Sequence, residues 1–280
     1  MLNSQVLLFD GDQETPILFG RYPDGMPLAA NLRPVPANWG RYQLLVRPAN
    51  LAMFVNAMFW VDAFVERGGQ PPALILPNVP GARQDRLNNE GDYLFTVKSV
   101  AKMINERKFP WVTILDPHSD VAPALIERCR VKHISDFFPH PLVPYDFVIA
   151  PDAGAEKRAG RVAKLLSVPL LRAWKERDLA TGEITGFGME EAPTGSGRGT
   201  ALVVDDICDG GGTFNGLAPV LNKNDLDADL FVTHGIFSKG LEELGSNYRR
   251  IITTDSMLQM YQPPYLKVLP VCEKVIKGVL

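Results

Sequence analysis

Two adjacent carboxylates, Asp205 and Asp206, close an apolar run at residues 201–204, and Asp209, Gly210, Gly211, Gly212 and Thr213 follow them. An apolar strand that ends in acids and turns through glycines into a helix forms a ligand crevice when the strand belongs to a parallel sheet. Glycines let the backbone come close to a ligand, and successive N–H groups at a helix N-terminus attract phosphate. Two neighbouring carboxylates beside an anion would repel it unless they hold hydroxyls or a metal. The 2′- and 3′-hydroxyls of a ribose meet that requirement. Taken alone, the same residues could equally form a glycine-rich turn capping a helix, with both acids in solvent.

Other chemistry-bearing residues stand at the ends of other apolar runs. Arg83, Gln84 and Asp85 follow the proline-bearing stretch 77–81. The guanidinium is a planar fork suited to phosphate or to stacking on a purine, and the amide can read a base edge. His118 comes just after the run 112–115, where an imidazole can face a crevice, although magnesium favours oxygen ligands. Asp152 follows the run 148–150 in the same way. Lys175 and Arg177 stand two apart where the Gly-, Thr- and Glu-rich stretch 178–199 begins. That stretch is long for a compact domain, as lids are. Closing it over a nucleotide would bring positive charge onto the transferring phosphates. Each feature also has a plain reading by itself: a surface ion pair, a structural histidine, a solvated charge run.

Such residues need a scaffold that repeats strand, loop and helix. Short apolar runs predict strands at 6–9, 43–46, 73–76, 111–115, 147–150, 169–172, 201–204, 230–233 and 250–253. Leu51, Phe54, Val55, Met58, Phe59, Val61 and Val65 recur at helical spacing over 50–66 and stop at Gly68 and Gly69. Further helices are expected over 96–106 and from about 156 to 166. Alternation of this kind implies an α/β fold of parallel sheets flanked by helices. The proline-rich stretch 138–144 divides the chain into domains at 1–139 and 140–280.

In their order along the chain, these segments resemble the ribose-phosphate diphosphokinases (phosphoribosyl pyrophosphate synthetases), which share the type I phosphoribosyltransferase fold. The acidic-glycine loop resembles both that family and the transferases. The segment 77–86 with Arg83, Gln84 and Asp85, the Asp-x-His at 116–118, the Pro-Asp-x-Gly at 151–154 with Lys157 and Arg158, and the Lys-Glu-Arg at 175–177 select the diphosphokinases. The Thr-His-Gly-x-Phe-Ser at 233–238 and the strand end at 253–256 complete the resemblance. It implies two phosphoribosyltransferase-like domains, each a mainly parallel sheet flanked by helices. The N-terminal one would bind ATP through Arg83, Gln84, Asp85, Tyr22 and Asp24. The C-terminal one would bind a ribose phosphate through Asp152, Asp205, Asp206, Asp209, Gly210, Gly211, Gly212 and Thr213. It further implies Mg2+ held with the help of His118 and Asp152, catalysis by Lys175, Arg177 and His118, AMP as a product, and a homo-oligomer, dimer or higher.

Four departures bear on what the enzyme accepts. Gly210 stands where the family carries a threonine whose hydroxyl helps to hold a terminal 5-phosphate. The family's Gln-x-Gln-Gly-Phe-Phe is replaced by residues 120–125, an arginine is missing near Asp92, and Met26 replaces the glutamate of the adenine-contacting segment at 22–26. The acceptor is therefore either ribose 5-phosphate, giving PRPP, or ADP-ribose, giving ADP-ribose pyrophosphate. The second is similar to phage-type homologues that rebuild NAD. A phosphoribosyltransferase and a non-catalytic regulatory homologue are the alternatives.

Composition restricts the remaining classes. With 280 residues, 46% apolar and 22% charged, the chain has the make-up of an ordinary globular enzyme. A net charge of -3 argues against a general nucleic-acid binder. Cys129, Cys208 and Cys272 are odd in number and widely spaced, which fits neither a disulfide framework nor a zinc knuckle. No apolar run has the length of a membrane span, no secretion signal is recognisable, and a cytoplasmic location is expected.

Overall fold

The computed structural model describes residues 5–11, 13–29, 42–87, 94–139, 144–177, 184–193, 198–257 and 261–280. Asp92, residues 140–143, much of the stretch 178–199 and the side chain of Arg177 lie outside this description. The chain forms two compact units, Met1–Lys132 with Ser256–Leu258 and Pro270–Leu280, and His133–Asp255 with Gln259–Leu269. The division falls at Lys132/His133 rather than within the proline-rich stretch, and the last residues belong to the first unit.

In the first unit β1 (Val6–Asp10), β2 (Gln13–Pro16), a separate ribbon of β3 (Phe19–Arg21) and β4 (Pro27–Ala29), and β5 (Tyr42–Val46) precede α1 (Leu51–Glu66). Then come β6 (Ala73–Ile75), α2 (Thr96–Glu106), β7 (Val112–Leu115), α3 (Val121–Leu125) and β8 (Cys129–Lys132). The sheet order is β2-β1-β5-β6-β7-β8. Strands β5 to β8 run parallel, and β1 joins β5 and β2 antiparallel. The side chain of Asn50 accepts the Met53 N–H at 3.0 Å and starts α1, a cap worth about 1 kcal/mol. Gly68, at φ 92, ends it with a backbone that side-chain-bearing residues rarely adopt. Phe54, Met58 and Trp60 of α1 and Val97, Val100 and Ile104 of α2 are buried with Leu44, Leu74 and Ile114 of the sheet. Each such side chain contributes roughly 1.5–3 kcal/mol.

The second unit opens with α4 (Ile134–Phe137) and β9 (Phe147–Ala150), followed by α5 (Glu156–Leu166), β10 (Leu170–Arg177) and β11 (Ile184–Met189). β12 (Gly199–Cys208), α6 (Gly212–Lys223), β13 (Leu226–Gly235), α7 (Glu242–Asn247), β14 (Ile251–Thr254) and β15 (Leu266–Leu269) complete it. The chain ends with α8 (Val271–Ile276) in the first unit, where Gln43 Nε2 donates to the Ile276 carbonyl at 3.1 Å. The sheet order is β11-β10-β9-β12-β13-β14-β15, parallel except for β11. Strand order reverses between β9 and β12, because α5 leads to one side and α6 to the other. Ligands bind outside the carboxyl ends of the strands at such a point.

β12 and β13 pair from Gly199↔Leu226 to Cys208↔Gly235, so both strands run on well beyond the apolar runs 201–204 and 230–233. The stretch expected to be irregular contains β11, which pairs antiparallel with the outer half of β10. Gly188 lies beneath the Trp174 indole, where a Cβ would come within 2.5 Å, so the glycine belongs to a strand that must accept a large neighbour. Among the described residues no helix is long and apolar enough to cross a membrane, and none of the three cysteines is joined in a disulfide.

Candidate active site

The second unit gathers the acidic pair, Asp152 and Lys175 at the strand reversal. β12 carries Asp205 and Asp206 to its carboxyl end, and β9 leads through Pro151 to Asp152, whose backbone is extended at φ -159. The chain then makes a turn of 3-10 helix and enters α5, whose first turn presents Arg158. The Arg158 guanidinium lies with Nε 3.6 Å from Asp205 Oδ1 and Nη2 3.5 Å from Asp206 Oδ1, all three side chains being largely buried. Burial and the neighbouring Asp206 carboxylate push the Asp205 carboxyl well above its usual range, Asp152 adds to the effect, and Arg158 opposes it. Removing two like charges from water is unfavourable unless a counter-charge accompanies them. Arg158 is that counter-charge. Its segment was recognisable in the sequence, but its place beside the acids depends on a helix folding back onto another strand.

Lys175 approaches from β10. Its Nζ donates to Asp152 Oδ2 at 2.9 Å, with both side chains partly exposed. Lys175 and Arg177 were expected at the mouth of an irregular loop; both lie in β10, where pairing with β11 shifts register between Glu176 and Arg177. A strand holds Lys175 more firmly than a loop would.

After β12 the chain crosses Asp209 and Gly210 and enters α6 at Gly211. Gly211 has φ 78, a conformation that favours glycine. The N–H groups of Gly212 and Thr213, at the start of α6, have no acceptor within the helix, and Gly211 has no side chain to cap them. A Cβ at Gly212 would meet nothing within 4 Å, so space is open beside that end of the helix. The arrangement can hold an anion. Asp209 is tied elsewhere: its Oδ1 accepts the Ser238 hydroxyl at 2.6 Å and its carbonyl accepts the Ser238 N–H at 3.0 Å.

The first unit brings Asp85 and His118 near one another. Asp85 is buried, and its carboxyl is held below the ordinary range by the Arg86 side chain at 2.8 Å, then by Ser119, with His118 contributing charge. Gly81, at φ 73, turns the preceding loop, and a Cβ there would press on Thr96 at 2.7 Å. Arg83 and Gln84 are exposed on the same loop, and the Gln84 carbonyl receives the Val97 N–H at 3.4 Å. Tyr22 and Asp24 sit apart on the β3–β4 turn, where Asp24 Oδ1 accepts the Met26 N–H at 3.1 Å. Among the described residues no cluster of three or more His, Cys, Asp or Glu has the arrangement of a metal cage. A magnesium ion completed by water and substrate oxygens needs only one or two carboxylates, and the partly exposed Asp152 is of that kind.

The chain matches no family model. Curated relatives do match it. The ribose-phosphate pyrophosphokinase of Bradyrhizobium diazoefficiens is 26% identical over 251 residues, covering 81% of this chain and 74% of the relative. That of Pyrococcus furiosus is 28% identical over 213 residues, covering 72% and 73%. Among solved structures, the phosphoribosylpyrophosphate synthetase from Mycobacterium smegmatis superposes with a TM-score of 0.77 at 22% identity, over 95% of this chain and 90% of the other.

Proposed function

Because the chain belongs to the ribose-phosphate pyrophosphokinase family, we propose that it transfers the β,γ-diphosphate of ATP to the anomeric 1-hydroxyl of a ribose 5-phosphate moiety, releasing AMP. The observation that carries this reading is the strand reversal of the second unit. There the acidic pair, the glycine turn and the Lys175–Asp152 contact flank the carboxyl ends of β9 and β12.

In this reading Asp205 and Asp206 accept hydrogen bonds from the ribose hydroxyls, with the Arg158 guanidinium lying against both carboxyls and fixing them in place. The N–H groups from Gly210 to Thr213 and the Thr213 hydroxyl hold the 5′-phosphate. Lys175 exchanges Asp152 for a phosphate oxygen and, with Arg177, neutralises charge on the transferring group. The 1-hydroxyl attacks the β-phosphorus and gives up its proton to water, the bond from the β-phosphorus to the bridging α-phosphate oxygen breaks, and AMP leaves with that oxygen. Positioning and charge neutralisation supply the rate. Arg83, Gln84 and Asp85, with Tyr22 and Asp24, serve ATP, the province of the N-terminal domain. Asp152 would help to hold Mg2+, which when bound lowers the negative charge on the phosphates, and His118 stands in the first unit as a metal ligand candidate of its own.

The acceptor is ribose 5-phosphate or ADP-ribose. Gly210 favours neither by itself, since one lost hydroxyl contact is worth only about 1 kcal/mol. A homo-oligomer in the cytoplasm belongs to the same proposal; Tyr22, Met26 and Leu28 each expose about half their surface on the β3–β4 ribbon. The test is chromatography of AMP from ATP and Mg2+ with each sugar in turn. No sugar-dependent AMP from either would end this reading. Light scattering that returned a monomer would end the assembly.

A further inference from the structure

Gly210 is not simply a vacated position. The aliphatic stem of Lys239 lies across it: a Cβ built on Gly210 would stand 3.3, 3.4 and 3.5 Å from Lys239 Cδ, Cε and Cγ. A threonine there, with two further heavy atoms, would need the lysine to move. The loop between β13 and α7 that carries Lys239 is fixed against the glycine turn. The N–H groups of Ile236 and Phe237 donate to the Cys208 carbonyl at 2.8 and 3.1 Å, and Ser238 binds Asp209 through both its N–H and its hydroxyl. Phe237 and Gly240, at φ 51 and 84, set the tight bend that aims residue 239 back over the turn. Lys239 is exposed, and among the described residues no carboxylate pairs with its ammonium. Lys175, by contrast, has Asp152.

We propose that Lys239 supplies the side-chain contact to the 5′-phosphoryl group of the sugar, in place of a donor on residue 210. Glycine at 210 is what lets the lysine cross, and the ammonium, one bond beyond Cε, lies at the rim of the anion-binding turn. This inference rests on the sugar-phosphate reading of that turn. A cation reaching from the neighbouring loop leaves the turn itself unobstructed, so it serves a terminal phosphate and a phosphodiester alike. The shared ligand chemistry is a ribose 5′-phosphoryl anion.

Lys239→Met keeps the stem over Gly210 and removes the charge; Lys239→Arg keeps the charge. The expected result is that K239M raises the KM for the accepted sugar about tenfold, lowers kcat much less, leaves the KM for ATP near the wild-type value, and flattens the salt dependence of sugar binding. K239R should restore most of the affinity. Ribose 5-phosphate and ADP-ribose are run as separate arms, both in turnover and by calorimetric binding to the unreacted protein. Equal sugar KM and binding in wild type and K239M, or an equal rise in the KM for ATP, would overturn the inference while the reaction stands. Sugar binding that K239M loses, in a wild type that makes no AMP, would uphold the lysine and refute the reaction. A wild type that binds neither sugar would overturn both. A defect in Lys239→Ala that K239M does not share would assign the lysine to packing alone and reject the proposal.

Discussion

Replacing Gly216 by alanine drives a methyl group into the Phe187 ring. Gly216 lies inside α6, and Phe187 reaches it from β11; a Cβ there would sit 2.1, 2.5 and 2.7 Å from Phe187 Cε2, Cζ and Cδ2. Carbon atoms in contact settle at about 3.5–4.0 Å, so the ring must retreat by roughly 1.5 Å. Alanine for glycine inside a helix otherwise stabilises by about 1 kcal/mol, whereas overpacking costs about 1–3 kcal/mol. The net effect is a loss of up to about 2 kcal/mol. Phe187 is the cross-strand partner of Lys175, so the displacement reaches the ammonium beside Asp152. A misplacement near 1 Å can cost about 100-fold in rate, and kcat should fall by about 10- to 100-fold. Thermal unfolding and turnover of wild type, G216A, F187A and the double variant form the assay. In the F187A background the same Gly216→Ala change should turn stabilising, by about 1 kcal/mol. A G216A protein more stable than wild type by that full amount, with unchanged kcat, would show that the contact does not constrain the ribbon.

Lys175→Ala should lower kcat by about 100-fold or more while ATP affinity changes little; equal losses in both would remove the lysine from the transfer step. Arg158→Met leaves two buried carboxylates without their counter-charge and should cost about 3 kcal/mol near neutral pH. That loss should shrink in acid as Asp205 takes up a proton, and a pH-independent loss in thermal melts would refute the pairing. The raised Asp205 carboxyl means that the native state holds its proton longer than the unfolded chain does. Its destabilising effect is absent below the unfolded value of about 3.9, grows as pH rises toward the native value, and is complete above it. Asp205→Asn should therefore raise the melting temperature by about a few degrees near pH 7 and far less near pH 4, while weakening sugar binding. Equal shifts at the two pH values would contradict the assignment.

The ends of the apolar runs were legible because buried parallel strands are nearly continuous in Val, Ile and Leu. That pattern located 147–150 and 201–204, and with them Asp152 and the acidic pair. It stopped short at Val204 because Asp205 and Asp206 are not residues that local preference places in a strand; pairing with β13 carries β12 through them. β11 was missed for a similar reason. Gly186 and Gly188 read as loop, yet each faces a bulky partner on β10, Glu176 and Trp174. The short β2, β3 and β4 carry little apolar alternation, and β8 mixes Arg130 and Lys132 among its few residues. Arg158 and Lys239 show the deeper limit. Their importance comes from contacts between distant segments, which a reading of neighbours along the chain does not contain.

β10 changes partners midway. Leu170, Leu171 and Arg172 hydrogen-bond with β9 in the body of the sheet, whereas Ala173 onward pairs only with β11. Arg172 clamps the changeover, bound to Glu156 at 3.1 Å and Glu190 at 3.3 Å. The outer half is thus a cantilever, rooted at Arg172 and propped at Phe187, with Lys175 three residues out from the root. A small rotation there can lift the ammonium away from Asp152 without breaking any rung of the parallel sheet. The molecule therefore carries Lys175 on a ribbon whose hydrogen bonds are separate from those of the parallel sheet that bears Asp152 and the acidic pair.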